Sequence, residues 1–199
     1  MTESRDHIRR DLKICAILYV VFLGIYGVTS WDRLETHSPD NHFVYMADSF
    51  LHGQFHLTRP PPHGNDWARY EGKVYVSFPP LPAMVMMPFV KKWGYEFNDR
   101  LFTWFFTPLP ILFLFLALSY LSRTGRSERR LWENISLASL FGVGTVYYFS
   151  CVQGSVWFVG HVFGTTLMCA YLFFSLDARR PVLAGICLVQ LISPGVACC

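Results

Sequence analysis

The stretch SPDNHFVYMADSFLHG, residues 38–53, places two carboxylates, two imidazoles, an amide and a phenol among apolar side chains. Ser38 as N-cap and Pro39 as first helical residue predict a helix that Gly53 ends. With about 100° between successive residues, Asp40 falls in the arc of Phe43, Val44, Met46, Ala47, Phe50 and Leu51. Asn41, His42, Tyr45, Asp48, Ser49 and His52 fill the opposite arc. An acid in a first turn can simply cap the helix and meet its dipole, which contributes a few tenths to about 1 kcal/mol. A carboxylate on the apolar face has a second use: partly desolvated, it is suited to accept a proton. Asp40 is therefore the candidate catalytic base.

Five histidines share this part of the chain: His37, His42, His52, His56 and His63. His52 and His56 have the spacing of two metal ligands on one helix, but Gly53 interrupts that helix and no cysteine lies near. No metal site is expected, and a divalent cation is the one cofactor these residues leave open. His161, in an apolar run, reads as an interhelical hydrogen bond. There is no nucleophile elbow, phosphate-cradling glycine loop or zinc-protease motif. A net charge of +3 gives no reason to expect nucleic acid as a partner.

The elements that must hold Asp40 follow from where charge is missing. Residues 14–31, 101–122 and 134–176 contain no Asp, Glu, Lys or Arg. About 20 apolar residues cross a bilayer, and a mid-membrane charge costs roughly 2.5–3.5 kcal/mol on insertion scales. The fold class expected is an all-α polytopic membrane protein of about five transmembrane helices. The spans fall at about 12–30, 100–122, 134–151 and 156–176, with a partial fifth at 182–193. Pro108 and Pro110 should kink the second. Cys15, Cys151, Cys169 and Cys187 lie in or beside these runs as small hydrophobes. Residues 31–99 are too charged to embed and form a large loop after the first span. It should carry short amphipathic helices and a small hairpin turning at Glu71-Gly72.

Arg5, Arg9, Arg10 and Lys13 precede the first span, Arg123 to Arg130 follow the second, and Arg179 and Arg180 follow the fourth. The positive-inside rule then places the N-terminus in the cytoplasm and residues 31–99 outside the cell membrane. The fifth run meets Pro194 and Gly195 and stops at Cys199, so a truncated product without activity of its own is expected.

Asp40, Tyr45, Ala47, Leu51 and Gly53, followed by Gly72, Tyr75, Pro79, Pro80 and Leu81, stand in an unusual order. In this order the chain resembles the N-terminal part of the GT-C glycosyltransferases, polytopic membrane enzymes such as protein O-mannosyltransferases and lipid A aminoarabinose transferases. The resemblance covers roughly residues 10–120. That family opens its outer loop with an acidic pair, and Asn41 stands where the second acid would be. The resemblance implies sugar transfer from a polyprenyl-phosphate donor to a glycan, lipid or protein acceptor on the outer face. It implies Asp40 as the base, with Asn41, Tyr45, Tyr75, Pro79 and Pro80 on the substrate, and membrane lipids and the lipid-linked donor as partners. The rival class is a non-catalytic transporter or assembly scaffold. Transport favours ionisable groups inside spans, and beyond Tyr and Cys the second to fourth spans offer only His161.

Overall fold

The computed structural model describes residues 2–192. The expected stop at Pro194 and Gly195 and the Cys198–Cys199 pair lie outside them. Ten helices and one hairpin follow in the order α1 (Thr2–Thr29), α2 (Trp31–Leu34), α3 (His42–Leu51), β1 (Trp67–Tyr70), β2 (Lys73–Val76) and α4 (Leu81–Trp93). Then come α5 (Asp99–Trp104), α6 (Leu109–Arg123), α7 (Leu131–Gly144), α8 (Val146–Gln153), α9 (Val156–Ser175) and α10 (Pro181–Ile192).

Three segments are long and apolar enough to cross a membrane: Asp6–Thr29, Asp99–Arg123 and Val156–Ala178. This is the make-up of an all-α membrane protein. The sequence suggested about five spans, and the difference lies in two places. The stretch expected to be one span at 134–151 is a pair, α7 and α8, bent by 58°, and counting it as one span gives four. Thr145 makes the bend with an extended backbone (φ −126°, ψ 174°). Its hydroxyl donates back to the Phe141 carbonyl and accepts from Tyr147 N–H, so one side chain ends one helix and starts the next. The apolar run expected from 182 forms α10, which is shorter than a span.

Pro108 and Pro110 do break the second span, between Trp104 and Leu109. Pro108 is the N-cap of α6 and Pro110 lies in its first turn, where a missing N–H costs nothing.

Two cores hold the chain. In the first, Cys15, Leu18, Phe22 and Tyr26 form one stripe of α1 that packs on Ile111 and Phe115 of α6, Ala138 of α7, Tyr147 and Cys151 of α8 and Val162 of α9. The other face of α1 is as apolar, with Ile17 62% and Val20 67% exposed, as a lipid-facing surface requires. His161 meets Ser150 Oγ at 3.5 Å, which joins α9 to α8 as expected of an interhelical polar pair.

The second core sits under the long segment between α1 and α5. Phe43, Val44, Met46 and Ala47 of α3 pack with Ala83, Met86 and Val90 of α4, and both rest on Val156, Val159 and Phe163 of α9. The hairpin forms as expected, with Trp67 opposite Val76 and a two-residue turn in which Glu71 (φ 48°) and Gly72 (φ 73°) are both left-handed.

Candidate functional site

Helix α3 begins three residues later than Ser38 and Pro39 suggest. Asn41 precedes its first residue, with non-helical angles of φ −83° and ψ 44°. Ser38 uses both its polar groups elsewhere. Its N–H donates to Asp99 Oδ1 at 2.7 Å, and its hydroxyl accepts from Asp40 N–H at 3.0 Å. The second bond closes a turn of the kind serine offers in place of helix. Asp40 therefore sits ahead of α3, not on its apolar face.

The turn still fixes Asp40 in space. Asp99, 2% exposed, is the first residue of the second candidate span, and it anchors Ser38. Two residues of chain reach at most about 7 Å, so Asp40 stays close to the start of that span. A second tether comes through residues 63–66. Asp40 Oδ1 lies 3.0 Å from His63 Nε2, and three residues on, Asp66 accepts from Trp157 Nε1 at 3.1 Å, in the first turn of α9. The Asp40 side chain is 36% exposed, and its second oxygen has no partner among the described residues. The Nδ1 atom of His63 accepts from Asn65 N–H at 3.3 Å, which leaves Nε2 as the protonated nitrogen of the neutral ring. A donor beside one oxygen steadies the carboxylate, and the other oxygen remains available to take a proton from a hydroxyl.

Around this pair the rings form a cluster. His42 stacks on Trp67 with centroids 3.8 Å apart, His63 lies 5.7 Å from His42, and Tyr45 meets Trp67 edge-on at 5.5 Å. His42 was expected on a polar, open arc but is fully buried, as are Asn41 and Ser49. The hairpin covers that side of α3, and α4 and α9 cover the other. Six buried side-chain polar atoms lack an aligned hydrogen bond among the described residues. Three of them belong to this cluster: His63 Nε2 and His42 Nδ1 face the Asp40 carboxylate and carbonyl without an aligned bond, and Trp67 Nε1 has no partner among the described residues. Buried polar atoms are nearly always paired, so the Trp67 indole N–H is the group here that a polar occupant could satisfy. Among the described residues no three His, Cys, Asp or Glu side chains converge as a metal ion would need.

Burial pushes the His42 imidazole below its ordinary value of 6.5, opposed in part by the carbonyls of Asn65 and Asp40, with His63 adding to the depression. A histidine kept neutral by folding takes up its proton more readily unfolded. Its contribution is whole above pH 6.5 and is lost as pH falls toward the lowered value. The protection factor of the α3 amides against hydrogen exchange, corrected for the intrinsic rate at each pH, should fall as pH drops from 7.5 through 6, and His42→Phe, which keeps the stack on Trp67, should flatten that dependence. An unchanged pH slope in the variant would remove His42 as the cause.

The other expected site residues divide. Tyr45 is half-buried within the ring cluster. Asn41 is turned inward, its amide 3.4 Å from the Tyr95 carbonyl, so it positions the loop. Tyr75 alternates with buried Val76 on β2, points to the opposite face and meets the His56 ring at 6.3 Å. Pro79 is exposed, and Pro80 starts α4 and lines a separate apolar cavity of about 450 Å³ with Phe50, Phe55, Met84 and Met87. The structure brings Asp40 and Tyr45 to one cluster and leaves Tyr75 and the two prolines outside it.

Asp48 is also more engaged than its place on the polar arc suggests. Its Oδ2 accepts from Tyr95 at 2.6 Å and from Thr58, and Arg59 lies 4.7 Å over the Tyr95 ring. Burial, then the bond to Asp48, push the Tyr95 phenol up to about 12. This network closes the loop around α3. His63, His42 and Trp67 were missed as site residues because their meeting is tertiary. The one local signal was HGND, residues 63–66, a polar turn directly before a strand. No protein-family model, curated protein or solved structure matches this chain.

Proposed function

We propose that the chain is a membrane glycosyltransferase component. It would transfer a sugar from a polyprenyl-phosphate donor to an acceptor at the outer face of the cell membrane. The observation that carries this reading is Asp40, a half-exposed carboxylate tethered to the starts of two spans, with one oxygen unpartnered and the buried, unpaired Trp67 indole N–H in the ring cluster beside it. A lipid-linked donor presents its phosphate and sugar at the membrane boundary, where such a group can reach them. Asp40 would take the proton of the acceptor hydroxyl or amine as that group attacks the anomeric carbon. The bond from that carbon to the phosphate oxygen breaks, and the lipid phosphate leaves with the electron pair. His63 would hold Asp40 through its Nε2–H, and the Trp67 indole N–H would donate to the departing phosphate or to sugar hydroxyls. Tyr45 would supply a ring edge for the sugar and Asn41 would hold the loop, while Tyr75, Pro79 and Pro80 lie outside this cluster.

The test is chemical. Lipids and glycans extracted from cells with and without the intact gene product should differ by one sugar residue on a defined acceptor in mass spectra. Identical profiles together with a flux defect would favour a transporter.

Orientation belongs to the same proposal, with the N-terminus and the arginine-rich turns in the cytoplasm. In a background with the native cysteines replaced by alanine, Arg69→Cys should react with an impermeant maleimide in intact cells. Glu128→Cys should react only after the membrane is breached. The reverse pattern would invert the topology and remove the outer-face reading.

A further inference from the structure

The opposite end of the bundle carries a second feature. Where α1 begins and the spans containing α6 and α9 end, they enclose a cavity of about 340 Å³. Its wall is apolar, with Ile8 and Leu12 from α1, Leu116 from α6, and Phe173 and Phe174 from α9. Its rim holds Arg123, Arg179 and Arg180 against a single lining carboxylate, Asp11.

The two acids nearest the cavity are already used. Asp11, 2% exposed, has Arg123 Nη1 at 3.1 Å from one oxygen and Arg10 Nη2 at 3.3 Å from the other. Asp177 holds both the Tyr120 hydroxyl and Arg126. Tyr120 in turn lies under two cations, with the Arg179 guanidinium carbon 5.0 Å and that of Arg123 6.0 Å from its ring centroid. Arg179 and Arg180 pair with no carboxylate among the described residues, and both are exposed in the turn after α9. Ile8 and Leu12 are 51% and 59% exposed on the wall below.

These features select the occupant by charge and by shape. A small anion would meet the arginines and leave the apolar wall uncovered. A neutral apolar molecule would cover the wall and leave the arginines without a counter-charge. An anionic amphiphile satisfies both, and the level of the cavity, where spans end, is where its head group lies.

We propose that this cavity binds one acidic phospholipid from the leaflet at the N-terminal end of α1. Its phosphate lies on Arg179 and Arg180, and an acyl chain lies along Leu12, Leu116 and Phe173. The lipid thereby ties α1 to α9 at the end opposite the Asp40 cluster.

The test uses the full chain in phosphatidylcholine nanodiscs, titrated with phosphatidylglycerol and read by native mass spectrometry. One retained phosphatidylglycerol is expected. The paired change Arg179→Gln with Arg180→Gln should weaken its binding about 30-fold, the loss of two arginine contacts to an anionic lipid surface. Arg9→Gln, which removes a charge from the same end outside the cavity, should leave the affinity unchanged. Leu12→Asp puts a carboxylate on the exposed wall and should abolish retention, which gives a second route should the double variant fold poorly. Inorganic phosphate should not displace the lipid. Equal affinity in the double variant, the same weakening from Arg9→Gln, or displacement by inorganic phosphate would each overturn the proposal.

Discussion

Asp40→Asn should leave the protein folded and inserted and lower sugar transfer by about 10²–10⁴, the usual contribution of a general base. An amide fits the same turn, where the Asp40 main-chain N–H bonds to Ser38 Oγ and the side chain takes no part in that bond. What the amide lacks is the capacity to take a proton. Asp48→Asn is the matched control, eight residues on in the same segment. Its amide oxygen can still accept from Tyr95 and Thr58, so it should lose only the charge-assisted part of those bonds, about 1 kcal/mol. Transfer by that variant should stay within a few-fold of the parent. Transfer rates in native membranes from cells carrying each change separate the two. Near-normal turnover in Asp40→Asn, or loss of it in Asp48→Asn, would move the site away from Asp40.

Gly142→Ala should destabilise the bundle by about 1–3 kcal/mol, the range for overpacking a filled core. A Cβ there would lie 2.4 Å from Phe22 Cε1 and 2.7 Å from Ile111 Cδ1. Neither neighbour can swing away, because Phe22 is 2% and Ile111 0% exposed. The backbone cannot shift freely either, since the Gly142 carbonyl accepts the buried Tyr26 hydroxyl at 2.9 Å. One glycine thus lets α1, α6 and α7 approach closely, as small residues do between membrane helices. Gly164→Ala in α9 is the contrast. Nothing lies within 4 Å of its added methyl, so helix propensity should make it neutral or slightly stabilising. Unfolding in detergent, followed by tryptophan fluorescence, should show a lower midpoint for the first variant only.

The charge-free windows of the sequence cover most of the three segments long and apolar enough to span a membrane, because lipid excludes charge regardless of tertiary detail. The hairpin was legible from Glu71-Gly72, since that turn demands left-handed backbone that glycine supplies. The start of α3 was not. Ser38 and Pro39 have the right types for a helix start, yet the Ser38 main chain is taken by Asp99, sixty-one residues away. The bend at Thr145 was hidden for a different reason. Threonine after glycine is unremarkable in an apolar run, and only its two hydrogen bonds show that it caps a new helix. The sequence points to Asp40 through the apolar arc of a helix that in fact begins only after it. Its partner His63 could not be read at all, because a contact across twenty-three residues leaves no periodic trace.

A lipid-linked sugar consumed at the Asp40 cluster on the outer face would leave its label on the acceptor. The direct measurement is transfer in sealed right-side-out membrane vesicles containing labelled polyprenyl-phosphate sugar, with appearance of label on the acceptor followed over time. Transfer is expected without any sugar nucleotide in parental vesicles, with a loss of at least about 100-fold in Asp40→Asn vesicles. Transfer that requires an added sugar nucleotide, or that proceeds equally well in Asp40→Asn vesicles, would contradict that expectation.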